Sequence, residues 1–227
     1  MENHKAMMRV LIGTPTRSTV EVPYLSGMMS TAALSLLGNV IKVVPKIIVT
    51  PYVQVGRTKI VEAARESDCS DVLFIDSDIS QWGWPHVERI LSHDADVVGG
   101  IYPKHKEGEP EWLLHCDRGA TPDANGLMEV NDIATGFLRV RMRVFDELRR
   151  RHPELDFQNE GDPRQYHDYF PMGVVNHKWR GEDLLFCHRA KAAGFRVFAD
   201  TRIILKHRGT FDFPSDEHLS EFVSPIL

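Results

Sequence analysis

Cysteine is scarce in this sequence of 227 residues, which contains only Cys69, Cys116 and Cys187. The three lie far apart, and no pair has the short spacing that zinc-binding motifs require. An odd and sparse set of cysteines also differs from the dense frameworks of small secreted disulfide proteins. We therefore expect free thiols and a reducing compartment.

The sequence also lacks a long apolar run and an excess of positive charge. No stretch approaches the roughly 20 apolar residues that a membrane-spanning helix needs. Residues 1–6, Met-Glu-Asn-His-Lys-Ala, contain an acid and no apolar signal-peptide core. The formal net charge is −5, so no overall basic field attracts nucleic acid. These absences predict a soluble cytoplasmic protein with no transmembrane segment and no nucleic-acid partner.

What the first hundred residues do contain is a regular alternation of apolar strands and helical patterns. This alternation predicts an α/β fold, with a parallel sheet and helices on both of its faces. The predicted strands are 8–13, 46–50, 71–79 and 96–102, and the predicted helices are 23–37, 57–66 and 85–92.

The alternation ends after residue 102. Short strands are predicted at 111–116, 127–130 and 136–140, and they pair antiparallel because no helices lie between them; a helix follows at 144–151. Residues 156–179 are rich in Asp, Pro, Tyr and His without periodicity, which predicts a long functional or disordered loop. A helix over 182–193 and strands at 195–199 and 202–206 complete one domain that spans residues 1–227.

Asp76 and Asp78 follow the fully apolar segment Val-Leu-Phe-Ile at 72–75. Open α/β sheets bind ligands at the carboxyl ends of their strands, and alternate strand residues point the same way. Both carboxylates are therefore expected to face one hard divalent cation. The alternative is a pair of turn-forming aspartates without a ligand.

Two motifs near the C-terminus allow a chemical interpretation. Gly181-Glu182-Asp183 opens the last predicted helix, where acids suit the helix macrodipole and where a carboxylate is also placed to accept a proton from a hydroxyl. The helix terminus is expected to keep that carboxylate ionised. His207 ends a predicted strand, as a surface histidine or as a ligand of a Mn²⁺-like ion.

Further polar positions are equally open to two interpretations. Thr135-Gly136 is either a bend through which backbone approaches a ligand or a plain turn. Arg17, Arg57 and Lys59 each follow a predicted strand. Such cations bind a diphosphate well, and they are also common as solvated surface charges.

Four motifs in chain order resemble the GT-A glycosyltransferases, particularly small family-2-like enzymes. The motifs are Val-Leu-Phe-Ile-Asp-Ser-Asp (72–78), Val-Val-Gly-Gly-Ile-Tyr-Pro-Lys (97–104), Ala-Thr-Gly-Phe-Leu-Arg-Val (134–140) and Gly-Glu-Asp-Leu-Leu-Phe-Cys-His-Arg-Ala-Lys-Ala-Ala-Gly-Phe (181–195). The last is the most specific, and together they cover nearly the whole chain. The resemblance implies a single Rossmann-like GT-A domain, whose central, mostly parallel sheet is flanked by helices and carries a small antiparallel addition.

The resemblance also implies a reaction. Such enzymes move a sugar from a UDP- or GDP-sugar to a hydroxyl of a glycan, lipid or protein-linked acceptor, with Mn²⁺ or Mg²⁺ as cofactor. Asp76 and Asp78 match the family's DxD metal motif, and His207 matches the histidine that completes the metal site. Glu182 and Asp183 match a motif whose aspartate is the catalytic base of inverting members.

The remaining site residues follow from position in the family's motifs. The donor-binding residues implied are Thr14, Pro15, Arg17, Arg57, Lys59, Ser77, Gly100 and Tyr102, and the loop between donor and acceptor contributes Lys104, Thr135 and Gly136. The sequence shows no extra C-terminal region of the kind that often builds the acceptor site. The acceptor is therefore expected to meet the 104–125 and 156–179 loops, another copy of the chain or an additional domain.

Three other functions remain open from the sequence. A haloacid-dehalogenase-like phosphatase would use Asp76 as nucleophile, but its motif normally follows the first strand of the chain. A nucleotidylyltransferase would need a glycine-rich loop near the N-terminus, and Gly-Thr-Pro-Thr-Arg at 13–17 is a poor one. A non-catalytic sugar-nucleotide binding domain of the same fold is the third.

Overall fold

Five α-helices, one short 3-10 helix and sixteen strands make up the part of the chain that the computed structural model describes, residues 7–38, 40–105, 110–209 and 212–213. The helices are α1 (Val22–Leu37), α2 (Val53–Glu66), α3 (Trp84–Ser92), α4 (Met142–Arg151) and α5 (Glu182–Ala192), and the 3-10 helix is Pro153–Leu155. The strands are β1 (Met8–Thr16), β2 (Ile41–Val49), β3 (Asp71–Ile75), β4 (Ile79–Ser80), β5 (Val97–Ile101), β6 (Leu114–His115), β7 (Leu127–Glu129), β8 (Asp132–Ile133), β9 (Phe137–Arg141), β10 (Asp156–Gln158), β11 (Gln165–His167), β12 (Gly173–Val175), β13 (Lys178–Arg180), β14 (Val197–Ile204), β15 (Lys206–Arg208) and β16 (Asp212–Phe213).

A seven-stranded sheet in the order β2-β1-β3-β9-β5-β14-β7 forms the centre of the fold. β1 runs parallel to both β2 and β3, and β5 runs parallel to β14. β9 is antiparallel to β3 and β5, and β7 is antiparallel to β14. The predicted α/β fold, with a mostly parallel sheet and small antiparallel additions, is confirmed. The antiparallel pairing predicted for residues 136–140 is confirmed as well.

Both faces of this sheet are covered, and β3 shows why its sequence is apolar throughout. Val72 and Phe74 pack on the face covered by α2, α4 and α5, while Leu73 and Ile75 pack on the face covered by α1 and α3. All four side chains are fully buried. A strand that is buried on both faces carries a continuous apolar run instead of an alternating one.

The connections around β1 create a topological switch point. The chain passes from β1 through α1 to β2 on one side, and then through α2 to β3 on the other side of β1. The segments that follow β1 and β3 therefore start next to each other at the carboxyl edge of the sheet. Open α/β sheets bind their ligands in the crevice at such a point.

The predictions for residues 71–79 and 156–179 are wrong in their details. The strand predicted at 71–79 ends at Ile75 and gives way to a turn. The loop predicted at 156–179 contains strands β10 to β13, which form two short hairpins. The hairpin turn between β12 and β13 has positive φ at Asn176 and His177, a conformation for which Asn-Gly is the usual sequence signal.

The strands predicted at 195–199 and 202–206 are in fact one strand, β14, whose register against β5 shifts between Asp200 and Ile204. The carboxylate of Asp200 is fully buried but is paired with His93 at 2.6 Å and with Arg89 at 2.7 Å. A buried charge with such partners is tolerated inside a strand.

None of the helices in the described part of the chain combines the length and the apolar character that crossing a bilayer requires. The assignment of residues 1–227 to one domain stays a prediction.

A buried ion pair joins two neighbouring strands of the central sheet. Arg139 on β9 has no exposed surface, and its guanidinium lies 2.5 Å from Oδ1 of Asp71 on β3. The same guanidinium donates to the carbonyl of Ala95 before β5. One side chain therefore connects three adjacent strands at the end of the sheet opposite the crevice.

Arg139→Ala is expected to lower the free energy of unfolding by about 3–5 kcal/mol, because it leaves the Asp71 carboxylate buried without its partner. The control is Arg143→Ala, which removes an ion pair to Asp96 whose arginine is 63% exposed and which should cost about 1 kcal/mol or less. Urea denaturation of both variants measures the difference. Equal decreases in the free energy of unfolding of the two variants would contradict a larger stabilising contribution from the buried pair.

Candidate functional site

The two aspartates after β3 lie in a turn, and their carboxylates have different ion-pair partners. The amide of Ile79 donates to the carbonyl of Asp76 at 3.1 Å, which closes the turn, and the amide of Asp76 donates to the carbonyl of Gly136 at 2.9 Å. Because the strand has already ended, the alternation of strand side chains does not extend to these residues. Both residues line the same cleft, and the expectation that their carboxylates face one cation stays a prediction.

Asp76 is held by Arg57, a buried arginine of α2. One terminal nitrogen of Arg57 lies 3.2 and 3.1 Å from the two carboxylate oxygens of Asp76, and the other donates to Oε1 of Glu182 at 2.6 Å. The Arg57 side chain is only 3% exposed. Burial raises the pKa of Asp76, although the Arg57 charge opposes this shift. The guanidinium thus joins the turn after β3 to the first residue of α5.

Asp78 lies close to two histidines, His105 and His207. Oδ2 of Asp78 lies 3.4 Å from Nε2 of His207 on β15. The segment is fixed by backbone hydrogen bonding, since β4 pairs with β15 and the amide of Arg208 donates to the carbonyl of Asp78 at 2.8 Å. Although burial opposes it, the contact with His207 holds the pKa of Asp78 below its usual value.

His105 completes a group that can hold a metal ion. Asp78, His105 and His207 each offer one ligand atom, and these atoms all lie within 4.8 Å of one another. Nδ1 of His207 lies 2.9 Å from the carbonyl of Pro103, which assigns the proton to Nδ1 and leaves Nε2 as the ligand atom. Burial and the neighbouring His207 lower the pKa of His105, which favours the neutral imidazole that ligates metals. Of the predicted ligands, Asp78 and His207 belong to this group and Asp76 does not.

Gly136 and Tyr102 meet beside the turn at Asp76. The hydroxyl of Tyr102 accepts a hydrogen bond from the amide of Gly136 at 2.6 Å. A Cβ on Gly136 would lie 2.3 Å from that hydroxyl and 3.3 Å from Oδ2 of Asp76. Burial raises the pKa of Tyr102 well above its usual value, so the phenol stays neutral. Glycine is required here by close approach of neighbouring atoms, and Thr135 beside it is buried.

Asp183 lies in the first turn of α5, next to the Arg57 partner Glu182. Its Oδ1 accepts a hydrogen bond from the amide of Leu184 at 2.8 Å. Burial and the negative charge of Glu182 raise the pKa of Asp183 above its ordinary value. Burial and Glu182 thus oppose the effect of the helix end on this carboxylate, and the expectation that the helix terminus keeps it ionised stays a prediction.

A cleft of about 330 Å³ opens at the switch point, between the segments that follow β1 and β3. This volume is in the range of small-molecule sites. The lining residues are Pro15, Thr16, Arg17, Ser18, Thr19, Thr50, Val53, Asp76, Ser77 and Asp78. Asp78 therefore belongs both to the cleft wall and to the group of possible metal ligands.

Three predicted donor-binding residues, Pro15, Arg17 and Ser77, line this cleft. Thr14 is buried beneath it, where its hydroxyl donates to the carbonyl of Ile75 at 2.7 Å. Arg57 contacts Asp76 of the cleft wall, and Tyr102 contacts Gly136 beside it.

Three other predicted residues lie elsewhere. Lys59 lines a separate pocket between α2 and β2. Gly100 is a packing position inside β5, since a Cβ there would lie 2.7 Å from the side chain of Ile203. Lys104 is paired with Glu111 on the surface.

Sequence reasoning missed several residues of the site. The hydroxyl side chains of Thr16, Ser18, Thr19 and Thr50 line the cleft, and the hydroxyl-rich run after β1 was the available signal for most of them. His105 follows Lys104 directly in the sequence, but no local pattern relates it to His207.

Comparison with known proteins gives a fold and no family. No family model and no curated protein sequence matches this chain. Among solved structures, A197 from STIV is 16% identical with a TM-score of 0.52, over 89% of this chain and 86% of that chain. This likeness shows a shared fold.

Solved glycosyltransferases are also among the matches. GalNAc-T7 with UDP, GalNAc and Mn²⁺ is 10% identical with a TM-score of 0.46, over 88% of this chain and 43% of that chain. A Drosophila beta-1,4-galactosyltransferase 7 mutant with manganese, UDP-Gal and xylobiose is 14% identical with a TM-score of 0.47, over 96% and 80%. At these TM-scores the two likenesses carry no argument about this chain.

Gly136→Ala is expected to destabilise the protein by about 1–3 kcal/mol, because the new methyl group overpacks against Tyr102. The control is Gly173→Ala in β12, where a Cβ meets nothing within 4 Å and stability should change by less than about 1 kcal/mol. Thermal unfolding of both variants provides the measurement. A neutral Gly136→Ala would contradict the close approach of the Tyr102 ring.

Proposed function

We propose that this protein is a metal-dependent glycosyltransferase, which moves a sugar from a nucleoside-diphosphate sugar to a hydroxyl acceptor with inversion. The observation that carries the proposal is the position of Asp78. It lies in the wall of the cleft at the switch point and also among possible metal ligands. The order of sequence motifs that resemble GT-A glycosyltransferases supports the same reaction.

The residues around Asp78 suit a divalent cation. Oδ1 of Asp78 is buried and has no hydrogen-bond partner among the described residues, and a cation ligand would remove the cost of burying it. The imidazole of His207 is oriented by Pro103 in the way that metal-binding histidines usually are. When bound, the cation neutralises negative charge on the departing diphosphate.

The cleft suits the nucleotide end of the donor. Its wall combines the hydroxyl groups of Thr16, Ser18, Thr19 and Ser77 with the side chain of Arg17. Hydroxyl and guanidinium groups are the usual donors to phosphate and ribose oxygens. We assign UDP- or GDP-sugars to this cleft as a class, with the diphosphate directed towards Asp78.

Asp183 is the proposed base. A carboxylate must accept the proton of the attacking hydroxyl as the sugar carbon gains oxocarbenium character. Because burial and Glu182 raise its pKa, Asp183 is a stronger base than an exposed aspartate. Arg57 holds Glu182 in place, and so fixes the start of α5 that carries Asp183.

One competing function fits the geometry less well than the proposed one. A phosphatase of the haloacid-dehalogenase type would need Asp76 as a free nucleophile, but both of its oxygens face the Arg57 guanidinium. A sugar-nucleotide binding domain without catalysis would share the cleft and the cation. It differs from an enzyme by the absence of turnover, which the Asp183 experiment below measures.

A thermal-shift panel of nucleoside diphosphates and nucleotide sugars, with Mn²⁺ or with a chelator, tests the donor site. The matching nucleotide with Mn²⁺ at about 100 times its Kd should raise Tm by roughly 5–10 °C. Asp78→Ala should abolish the cation-dependent part of this rise. Stabilisation that is equal with Mn²⁺ and with the chelator would contradict a donor site built around Asp78.

Asp183→Asn should leave the Kd of the donor unchanged and lower kcat by roughly 10²–10⁴, the usual contribution of a general base. The assay is release of nucleoside diphosphate from the donor that the panel identifies, over candidate glycan acceptors. Asp94→Asn is the control, since the Asp94 side chain is 97% exposed.

The pH profile of the wild-type enzyme gives a second readout. The base must be ionised, and its pKa is raised, so kcat/KM should fall with decreasing pH at values above the ordinary range of aspartate. This acid limb should disappear in Asp183→Asn. Full activity of Asp183→Asn would remove Asp183 from the mechanism.

A further inference from the structure

The possible metal ligands come from three separate segments of the chain. Asp78 lies in the turn after β3, His105 follows β5, and His207 lies on β15. Their ligand atoms nevertheless lie within 4.8 Å of one another. The rings of His105 and His207 are 3.5 Å apart between centroids, with an angle of 34° between their planes. Two imidazoles and one carboxylate therefore share one small volume beside the cleft.

Asp76 is not one of these possible metal ligands and is instead paired with Arg57. Both of its oxygens face a single nitrogen of Arg57 at 3.2 and 3.1 Å. Ligation of a cation by Asp76 would weaken this contact and leave the buried guanidinium with Glu182 as its remaining carboxylate partner. Loss of a partner is costly for a buried charge, which favours retention of the contact between Asp76 and Arg57.

We propose that His105 is a metal ligand of this protein, so that the cation is bound by Asp78, His105 and His207, with Asp76 outside the ligand set. Three protein ligands leave coordination positions open for diphosphate oxygens and water. This inference rests on the proposed function only for the identity of the diphosphate. The cation site itself can be measured without any nucleotide.

The ligand set has a consequence for which cation is bound. Mg²⁺ prefers oxygen ligands in a near-ideal octahedron and loses its waters reluctantly. Imidazole nitrogen favours transition metals, and the pattern of two histidines and one carboxylate is typical of them. The site should therefore select Mn²⁺, and more strongly Co²⁺, over Mg²⁺.

Calorimetric titration of the nucleotide-free 227-residue protein with MnCl₂, CoCl₂ and MgCl₂ tests both the ligand set and the choice of cation. One Mn²⁺ should bind roughly tenfold more tightly than Mg²⁺, and Co²⁺ more tightly still. His105→Ala should weaken Mn²⁺ binding by roughly 10–100-fold. The control is His115→Ala, in which the histidine is 68% exposed and paired with Asp132, and this variant should bind Mn²⁺ as the wild type does.

Asp76→Asn distinguishes the two possible ligand sets. It should weaken Mn²⁺ binding less than His105→Ala does, because Asp76 is engaged by Arg57. A larger loss in Asp76→Asn, unchanged binding in His105→Ala or equal affinity for Mg²⁺ and Mn²⁺ would each overturn the inference. Unchanged Mn²⁺ binding in His105→Ala together with intact donor binding would leave the proposed function standing.

Pulsed electron paramagnetic resonance of the Mn²⁺-loaded wild type gives a readout that needs no variant to fold. Nitrogen couplings from two imidazoles are expected, and coupling to one or none would overturn the inference. Absence of any Mn²⁺ binding, with or without UDP and GDP, would instead contradict the proposed function as well.

Discussion

The ion pairs of Arg57 with Asp76 and Glu182 are the interaction on which the site depends. Arg57 projects from the second turn of α2 into a buried position between the turn after β3 and the start of α5. Two carboxylates that approach each other without a cation between them repel, and their burial is costly. The guanidinium offsets both effects. It thereby joins the turn beside the cleft to the start of the helix that carries Asp183.

Much of this arrangement follows from the topology, and the sequence predicts that part well. The apolar run at 72–75 identifies a strand buried on both faces, and the alternation of strands and helices before it predicts the parallel pairing of β1 with β2 and β3. Once these strands are parallel, their carboxyl ends meet at a switch point where ligands bind. The helix predicted at 182–193 is found at Glu182–Ala192, because acidic residues in the first turn and glycine after the last mark its ends.

The rest of the site depends on contacts between distant segments, and local pattern carries no signal for these. The partner of the Asp76 carboxylate is set by where β3 ends and by Arg57, which lies 19 residues from Asp76 in the sequence. His105 and His207 come together because β15 pairs with β4 and its histidine contacts Pro103. Lys59 is only two residues from Arg57 in the sequence but lies on a different side of α2, where it lines another pocket. The hairpin of β12 and β13 escaped prediction because Asn176 and His177 adopt positive φ without a glycine.

Anomalous diffraction at the manganese absorption edge, from crystals grown with MnCl₂ and UDP, tests the central claim most directly. The account predicts one strong peak within ligand distance of Asp78, His105 and His207, and a nucleotide against residues 15–19 whose diphosphate reaches that peak. A nucleotide in the cleft with no manganese beside Asp78, or manganese bound elsewhere in the molecule, would contradict it.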